Sequence, residues 1–365
     1  MRGIGFIPRF SKTPPRRSGS IAGAASRPAS ADAGTDPLAG FGLYSHSRTA
    51  LRFGLAATRL RAGDRILVPD FICDALVLPL EQLKLEPVYF PIGEDLQPRW
   101  PALEALADIA ARALVMVHYF GIPQSVDRYR EFCSKHGLIL IEDNAHGFGG
   151  CFGGARLGTI GDIGISSPWK NFLVRNGALL HLADSADTAH EQLPPEPRRM
   201  IPTKRQIWSL VEPGWRHQCR HYGHGLQSIE PTAAMPAWRM DRSDATFLRM
   251  QDLPACAAQR RALYEVWREW CVRSGLDPAI DRLTGEESPL LFAAYCRSAG
   301  HRHAMLEWLW HRRIEAYTWP KLPPAVLDST GEAKSHWERM VCLPIHQQMS
   351  VSGLAGFLES CGPAP

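Results

Sequence analysis

Two short segments of the sequence place a carboxylate and an amine where each can act chemically. Segment 141–147 puts Asp143 at the end of an apolar run, and segment 166–170 puts Lys170 just after another such run. A lysine amine can hold an aldehyde as a Schiff base, and a buried carboxylate can keep a pyridine nitrogen protonated. Lys170 and Asp143 are therefore suited to pyridoxal 5'-phosphate (PLP). Each residue, considered alone, has a second interpretation. For Lys170 it is a solvated loop lysine, and for Asp143 it is the N-cap of a helix that follows a strand.

The strands that must position these two groups are indicated by continuous apolar runs. The runs at 113–118 and 138–143 end in His118 and Asp143, and a helix predicted near 125–136 lies between them, closed by Gly137. This order predicts a βαβ unit whose strands are buried on both faces. Ligands bind beyond the carboxyl ends of such strands, which is where both polar residues fall.

The alternation of helix and strand extends on both sides of this unit. The further predicted elements are helices near 48–61 and 254–274 and strands at 65–69, 87–90, 163–165 and 177–182. The α/β pattern predicts a large domain over residues 39–245 and a smaller C-terminal domain over 246–365. Residues 1–38 are rich in Pro, Ser, Ala, Gly and Arg without periodicity, which predicts a loosely ordered arm.

Composition and charge restrict the class of protein. The 365 residues are 45% hydrophobic and 21% charged, as in ordinary globular domains. The 41 Lys and Arg exceed the 37 Asp and Glu only slightly, which argues against a nucleic-acid partner. The nine cysteines form no C-x-x-C pair, so neither a zinc site nor a disulfide scaffold is indicated. No apolar run has the length needed to span a membrane, and we expect a cytoplasmic protein without a membrane partner.

The order of motifs along most of the chain resembles that of the DegT/StrS-type aminotransferases, PLP enzymes of fold type I. The matching motifs are SRTAL at 47–51, VPDF at 68–71, HYFGIP at 118–123, EDNAH at 142–146, LGTIGD at 157–162, the lysine segment 166–177, IEAY at 314–317 and CLPIH at 342–346. The resemblance covers roughly residues 45–350. It implies a large domain with a mostly parallel sheet flanked by helices, a smaller α/β C-terminal domain, and a homodimer.

The resemblance also implies a role for each matched residue. Lys170 becomes the Schiff-base and proton-shuttling lysine, and Asp143 the partner of the pyridine nitrogen. His146 stands where the family has Gln or His near the phenolic oxygen of the cofactor, although a histidine at a helix start without cofactor contact is the alternative. The candidates for the phosphate share a hydroxyl or a place at a helix N-terminus and are Ser47, Arg48, Thr49 and Ser166. For Arg48 a surface salt bridge is the alternative.

The remaining candidates concern the ring face of the cofactor and the substrate. Phe71 and Cys73 lie in the loop that supplies a ring-stacking aromatic in relatives, and Cys73 occupies the usual aromatic position. His118, Asn176 and Arg239 are the candidate substrate residues. His118 has the alternative of a strand-end histidine whose hydrogen bonds are satisfied internally.

Two positions depart from the family pattern near the expected site. Asn176 replaces the acid that usually follows the lysine, and Ala237 replaces an Asn that reaches the neighbouring subunit's cofactor. We therefore expect substrate handling that differs from the sugar enzymes of the family. The Trp-, His- and Arg-rich region 185–245 is either part of the acceptor pocket, an interface or plain core.

The function implied by the resemblance is transfer of an amino group from an amino acid, with glutamate expected, to a keto-sugar or similar precursor in polysaccharide or secondary-metabolite biosynthesis. A PLP-dependent dehydratase of the same family is one alternative, disfavoured because such relatives carry His at the position of Lys170. A catalytically silent PLP-binding or regulatory protein is another, suggested by Asn176 and Ala237. The expected partners are a small-molecule amino donor and a keto acceptor.

Overall fold

The computed structural model describes residues 36–183, 238–362 and 364–365. The predicted arm over residues 1–38 lies almost wholly outside the described residues. Most of the region 185–245, including Ala237, lies outside them as well.

The first half of the described chain builds one large sheet and a small hairpin. The strands, in chain order, are β1 (Gly42–Tyr44), β2 (Arg65–Pro69), β3 (Glu86–Phe90), β4 (Ala111–Val117), β5 (Ile139–Asn144), β6 (Cys151–Phe152), β7 (Ala155–Arg156), β8 (Ile163–Ser166) and β9 (Ala178–Leu182). The large sheet has the order β1-β9-β8-β5-β4-β2-β3, and β6 pairs with β7. Neighbours from β3 to β8 are parallel, whereas β9 is antiparallel to both β8 and β1.

The parallel register explains how the site residues meet. The strands β4, β5 and β8 are buried along almost their whole length, as expected for strands covered on both faces, and β5 is apolar in its first half. Val117 pairs with Asp143, and Asn144 pairs with Ser166. The carboxyl ends of β4, β5 and β8 therefore lie side by side, and the chain that leaves β8 leads directly to Lys170.

The helices of this half are α1 (Ser47–Ala56), α2 (Asp74–Gln82), α3 (Trp100–Glu104) and α4 (Val126–His136). The predicted stop at Gly137 is confirmed, because Gly137 has the left-handed φ of 64° that ends α4. Helix α1 is shorter than the predicted 48–61. It ends at Ala56, and the Thr58 hydroxyl donates to the carbonyl oxygen of Leu55 at 2.6 Å, which satisfies a carbonyl of the last turn.

The C-terminal part has the mixed α/β character that the sequence predicts. Its elements are α5 (Arg242–Arg249), α6 (Leu253–Arg273), β10 (Asp277–Pro278), β11 (Leu291–Tyr295), α7 (Ala299–His311), α8 (Pro324–Leu327), α9 (Glu332–Arg339), β12 (Met340–Pro344) and α10 (Val351–Ser360). Strand β11 pairs with β10 and β12 in an antiparallel sheet. Trp267, Phe292 and Leu343 belong to a core cluster that joins α6 to this sheet. Contacts group residues 36–365 into a single unit, so the predicted domain boundary at residue 245 stays a prediction.

Neither a helix that could cross a membrane nor a cluster that could bind a metal ion occurs among the described residues. None of the helices there combines the length and apolarity that crossing a bilayer requires. The same part of the chain contains no group of three or more His, Cys, Asp or Glu side chains that could bind a metal ion.

Candidate active site

Lys170, in the turn after β8, lies within electrostatic reach of Asp143 near the carboxyl end of β5. Lys170 is the last residue of a 3-10 turn, Pro168–Lys170, and its backbone N–H donates to the carbonyl oxygen of Ser167 at 3.0 Å. Asp143 is buried, and its Oδ1 accepts from the backbone N–H of Ala145 at 2.9 Å. Burial raises the pKa of Asp143, and the Lys170 ammonium opposes that rise. An anion and a cation thus lie within electrostatic reach in a buried site.

His146 is a neutral hydrogen-bond donor in this site. Burial, and then the charge of Lys170, lower the pKa of His146 well below its ordinary value. The backbone N–H of Phe120 donates to its Nδ1 at 3.3 Å, so the proton of the neutral ring is on Nε2. The Phe120 ring is parallel to the imidazole, and Trp319 meets the imidazole edge-on with centroids 5.6 Å apart. These contacts fix the ring plane of His146.

The N-terminus of α1 lies against the lysine turn. Because α1 begins at Ser47, the backbone N–H groups of Ser47, Arg48 and Thr49 precede its first intrahelical bond. Ser47 Oγ is 3.4 Å from Ser167 Oγ, which brings this helix end beside the turn. Arg48 is half-buried, and no group in the described part of the chain bonds its Nε. Amide N–H groups, two hydroxyls and a guanidinium form a suitable site for a phosphate dianion.

The two serines before the lysine turn face different partners. Ser166 is fully buried, and its Oγ accepts from Asn144 Nδ2 at 3.0 Å. Gly158, with a φ of +89°, packs so closely on this hydroxyl that a Cβ would overlap it. The hydroxyl of Ser167 instead faces Ser47. The assignment of Ser166 to the phosphate stays a prediction, and Ser167 is a candidate that the sequence reasoning missed.

Glu142 organises the chain behind Asp143. It is fully buried and accepts from His118 Nε2 at 3.0 Å and from three backbone N–H groups of the turn 158–161 at 2.6–3.0 Å. Burial alone would raise the pKa of Glu142, but these hydrogen bonds outweigh it and lower the pKa. His118 Nδ1 accepts from the backbone N–H of Gln124 at 3.1 Å. To contact a substrate, His118 would have to give up one of these bonds.

The loop after β2 contributes one aromatic and one thiol. Phe71 is fully buried and stacks on Trp319, with centroids 5.0 Å apart. Cys73 is half-buried, and burial raises the pKa of its thiol, with smaller effects from Lys170, which lowers it, and Asp143, which raises it. Cys73 therefore lies within electrostatic reach of both charged groups. The assignment of either residue to the cofactor ring stays a prediction.

Asn176 and Arg239 belong to two segments whose neighbouring residues, Gly177 and Trp238, bond the backbone of Ser45, two residues before α1. The backbone N–H of Gly177 donates to Ser45 O, and that of Ser45 donates to Trp238 O, both at 2.9 Å. Asn176 is half-buried, and its Oδ1 has no hydrogen-bond partner within the described ranges. Arg239 is half-buried and forms a backbone bridge with Tyr44. Both stay candidate substrate residues.

Two further residues adjoin His146 without having been singled out from the sequence. Trp319 is 3% exposed, packs on the imidazole, and comes from the C-terminal part of the chain. Asn171 is fully buried, and its Nδ2 donates to the carbonyl oxygen of His146 at 3.1 Å. The position of Asn171 next to the lysine was a usable signal, whereas nothing local to Trp319 indicated its place.

A lysine, a buried carboxylate and a helix N-terminus with hydroxyls lie together at the carboxyl ends of parallel strands, where a PLP-dependent enzyme needs such groups. The chain belongs to the DegT/DnrJ/EryC1/StrS aminotransferase family, whose model matches residues 44–355. The predicted family is thereby confirmed. Aminotransferases of this family depend on PLP, so the predicted cofactor is confirmed as well.

Comparison with individual proteins supports the same assignment. The chain is similar to GDP-perosamine synthase of Vibrio cholerae, with 31% identity over 134 residues, 36% of each chain. It is also similar to a putative L-glutamine:3-amino-2,3-dideoxy-scyllo-inosose aminotransferase of Micromonospora echinospora, with 26% identity over 276 residues, 73% of this chain and 61% of the relative. Both matches span less than two thirds of the relative's own length.

The solved structures confirm the predicted fold. A putative sugar aminotransferase of Streptococcus pneumoniae in its PLP form matches with a TM-score of 0.66 and 16% identity, over 88% of this chain and 86% of that one. Dehydratases of the family are also structural neighbours. At such identities the likeness concerns the fold alone.

Proposed function

We propose that the protein is a PLP-dependent aminotransferase that moves an amino group from an amino acid to a keto-sugar or similar precursor in polysaccharide or secondary-metabolite biosynthesis. The observation that carries this proposal is that Lys170, just after β8, lies within electrostatic reach of the buried carboxylate of Asp143 on the neighbouring strand β5. Family membership and the names of the relatives support the sugar-like acceptor. Glutamate is the expected donor, and the name of one relative adds glutamine as a second candidate.

The described side chains divide the chemistry among themselves. PLP, when bound, supplies a ring that withdraws electrons from the donor's α-carbon. The Lys170 amine would hold the cofactor and, once displaced by the donor, move a proton at that carbon. Asp143 would keep the pyridine nitrogen protonated, and His146 would donate through Nε2 to a cofactor oxygen. The N-terminus of α1, with Ser47 and Ser167, would hold the phosphate.

The candidate substrate contacts lie around this centre. Asn176 and Arg239 are the chain neighbours of Gly177 and Trp238, which bond the backbone of Ser45 before α1, and His118 directly follows β4. We propose the first two as contacts of the acceptor. His118 is the weaker candidate, because both of its ring nitrogens already have partners.

Two half-reactions test the proposed activity. Incubation of the purified protein with glutamate or glutamine should release the corresponding oxo acid and change the absorbance of the bound cofactor. A nucleotide-linked keto-sugar should then restore the original spectrum, whereas simple keto acids should not. Restoration by simple keto acids alone would refute the sugar-like acceptor.

The same assay separates the alternatives. Absence of turnover with every amino donor would favour the silent PLP-binding protein. Loss of water from the keto-sugar without amino transfer would favour the dehydratase. Lys170 argues against the dehydratase, since relatives of that kind carry His at this position.

We also propose a cytoplasmic homodimer with a large domain over residues 39–245 and a small domain over 246–365. Family membership supports the dimer, and the separate core cluster of α6, β11 and β12 supports a distinct C-terminal domain. Sedimentation should show a dimer. A monomer that keeps full activity would contradict the proposed assembly.

A further inference from the structure

Arg260 is a buried cation whose hydrogen-bond partners within the described part of the chain are uncharged. It lies on α6, is fully buried and donates there to carbonyl and amide oxygens. Its acceptors are Asn171 O at 2.8 Å, Gln347 Oε1 at 2.6 Å, Pro289 O at 3.0 Å, Ile345 O at 3.4 Å and Leu290 O at 3.5 Å. Burial lowers the pKa of Arg260 to about 10, so the guanidinium stays protonated at neutral pH. Burying a cation without a carboxylate partner is costly, which suggests that its hydrogen bonds serve a purpose beyond packing.

The most informative of these acceptors is Asn171, the residue that follows Lys170. Its carbonyl oxygen accepts from Arg260 Nη2 and also from Gln347 Nε2, the latter at 3.1 Å. The side-chain Nδ2 of Asn171, in contrast, donates to the carbonyl oxygen of His146. Asn171 therefore joins the lysine turn both to α6 and to the loop that carries His146.

The lysine turn is closed by local backbone bonds. The N–H of Lys170 donates to Ser167 O at 3.0 Å, and those of Asn171 and Phe172 donate to Pro168 O, both at 2.9 Å. Such a short 3-10 turn is a weak support. The lysine amine needs an accurate position, because a misplacement of about 1 Å can cost roughly a hundredfold in rate.

We propose that Arg260, together with Gln347, is a positioning residue that holds the main chain at Asn171 and so fixes Lys170 relative to His146. This proposal rests on the proposed aminotransferase function. The planar guanidinium suits the role because its fork of N–H groups reaches several carbonyl oxygens at once, whereas a lysine ammonium would not match the same set. The C-terminal part thereby supports the reactive lysine of the large sheet.

The test compares variants at the two positions with a matched control. Arg260→Gln removes the positive charge and the fork of guanidinium N–H groups. Gln347→Met removes the hydrogen bonds of the half-buried Gln347 side chain to Arg260 and to Asn171 O. Arg261→Gln is the control, because Arg261 is the next residue of α6 and donates to Glu287 O at 2.7 Å, away from the lysine turn. Arg260→Lys tests whether a cation without the fork is sufficient.

Three measurements are made on each variant. Backbone hydrogen exchange of the peptide covering residues 168–174, without added cofactor, should become faster in Arg260→Gln and Gln347→Met. The rate at which added PLP forms a borohydride-reducible adduct with Lys170 should fall in both variants. The kcat of the donor half-reaction should fall roughly 10- to 100-fold with little change in KM. Arg261→Gln should match the wild type, and Arg260→Lys should recover only part of the loss.

Each outcome decides the proposal. Unchanged exchange over 168–174 with unchanged PLP fixation in both variants would overturn it. Faster exchange throughout α6 and the large sheet, rather than in the lysine turn, would reduce Arg260 to a general packing role and would also overturn it. If Arg260→Gln does not fold, Gln347→Met decides. If the wild type transfers no amino group, the proposed function fails, while exchange and fixation still decide the role of Arg260.

Discussion

His118 and Glu142 form a fully buried pair, with His118 Nε2 3.0 Å from Glu142 Oε1, directly behind the carboxylate of Asp143. The two oxygens of Glu142 accept four N–H bonds, which join the end of β4, strand β5 and the turn 158–161. A carboxylate with such a set of donors stays ionised although it is buried. The position of Asp143 therefore depends on the residue immediately before it.

Glu142→Gln should destabilise the protein by about 3 kcal/mol, because the amide nitrogen would face backbone N–H groups that need an acceptor. The measurement is the free energy of unfolding in urea. Glu286→Gln is the control, since the Glu286 carboxylate accepts one N–H bond, from Gly153, at an exposed site. Its loss should stay below about 1 kcal/mol. Equal losses in the two variants would show that Glu142 does not hold the strand ends.

Lys170→Ala should abolish covalent attachment of PLP, because the Lys170 ammonium lies within electrostatic reach of both Asp143 and His146. Mass spectrometry after borohydride reduction should find the adduct in the wild type and not in the variant. Lys135→Ala and Lys321→Ala should keep it. An adduct that persists in Lys170→Ala would sink the assignment of the lysine.

The elements around the lysine were predictable because their signals are local. Strands β2, β4 and β8 and the first half of β5 lie in apolar runs, and Gly137 ends α4 at the expected residue. The antiparallel direction of β9 was not predictable, since an apolar run carries no sign of its direction in a sheet. The same run of residues fits either orientation.

The residues missed in the site were those whose role depends on distant parts of the chain. Arg260 and Asn171 are 89 positions apart, and Trp319 reaches the His146 loop from far along the sequence. No spacing rule connects such pairs. Ser166 and Ser167 show a different limit, because successive residues of an extended segment point to opposite sides. A motif match that is uncertain by one residue therefore cannot decide which hydroxyl faces the cofactor.

Asp143→Asn should keep covalent PLP but lose most turnover, because a neutral amide does not hold a proton on the pyridine nitrogen. Charge-assisted hydrogen bonds are worth about 1.5–3 kcal/mol, which corresponds to a fall of roughly 10- to 100-fold in the donor half-reaction. Stopped-flow absorbance with glutamate measures the rate. His146→Ala should lose less. A rate near that of the wild type in Asp143→Asn would remove this residue from the mechanism.

Asp70→Asn should make stability less dependent on pH. Burial raises the pKa of Asp70 from its ordinary 3.8 to about 6. The folded protein thus binds this proton more tightly than the unfolded chain, so the contribution of Asp70 to stability is greatest below about pH 4 and is lost as the pH rises to about 6. Asparagine keeps an acceptor for the backbone N–H of Ile92, which Asp70 Oδ1 binds at 3.0 Å.

The variant should therefore exceed the wild type in stability by about 1–3 kcal/mol at pH 8, and the difference should vanish near pH 4. Urea unfolding across this pH range measures both values. A difference that stays constant with pH would show that Asp70 does not titrate in the folded protein near pH 6.

The two serines before the lysine turn should respond differently to truncation. Ser167→Ala and Ser47→Ala each remove a hydroxyl from the proposed phosphate site, so each should weaken PLP binding roughly tenfold, the effect of about 1.4 kcal/mol. Neither change should lower the stability of the cofactor-free protein by more than a few tenths of a kcal/mol, because the contact that joins the two hydroxyls is long, at 3.4 Å, and lies at a helix end and a turn. Ser166→Ala instead leaves the buried Asn144 Nδ2 without its acceptor, so it should cost about 1–3 kcal/mol of stability with little change in PLP affinity.

Titration of cofactor-free protein with PLP, paired with urea unfolding, measures both the PLP affinity and the stability of each variant. A loss of PLP affinity in Ser166→Ala alone would return the phosphate contact to the serine that the sequence indicated and would exclude Ser167 from the site.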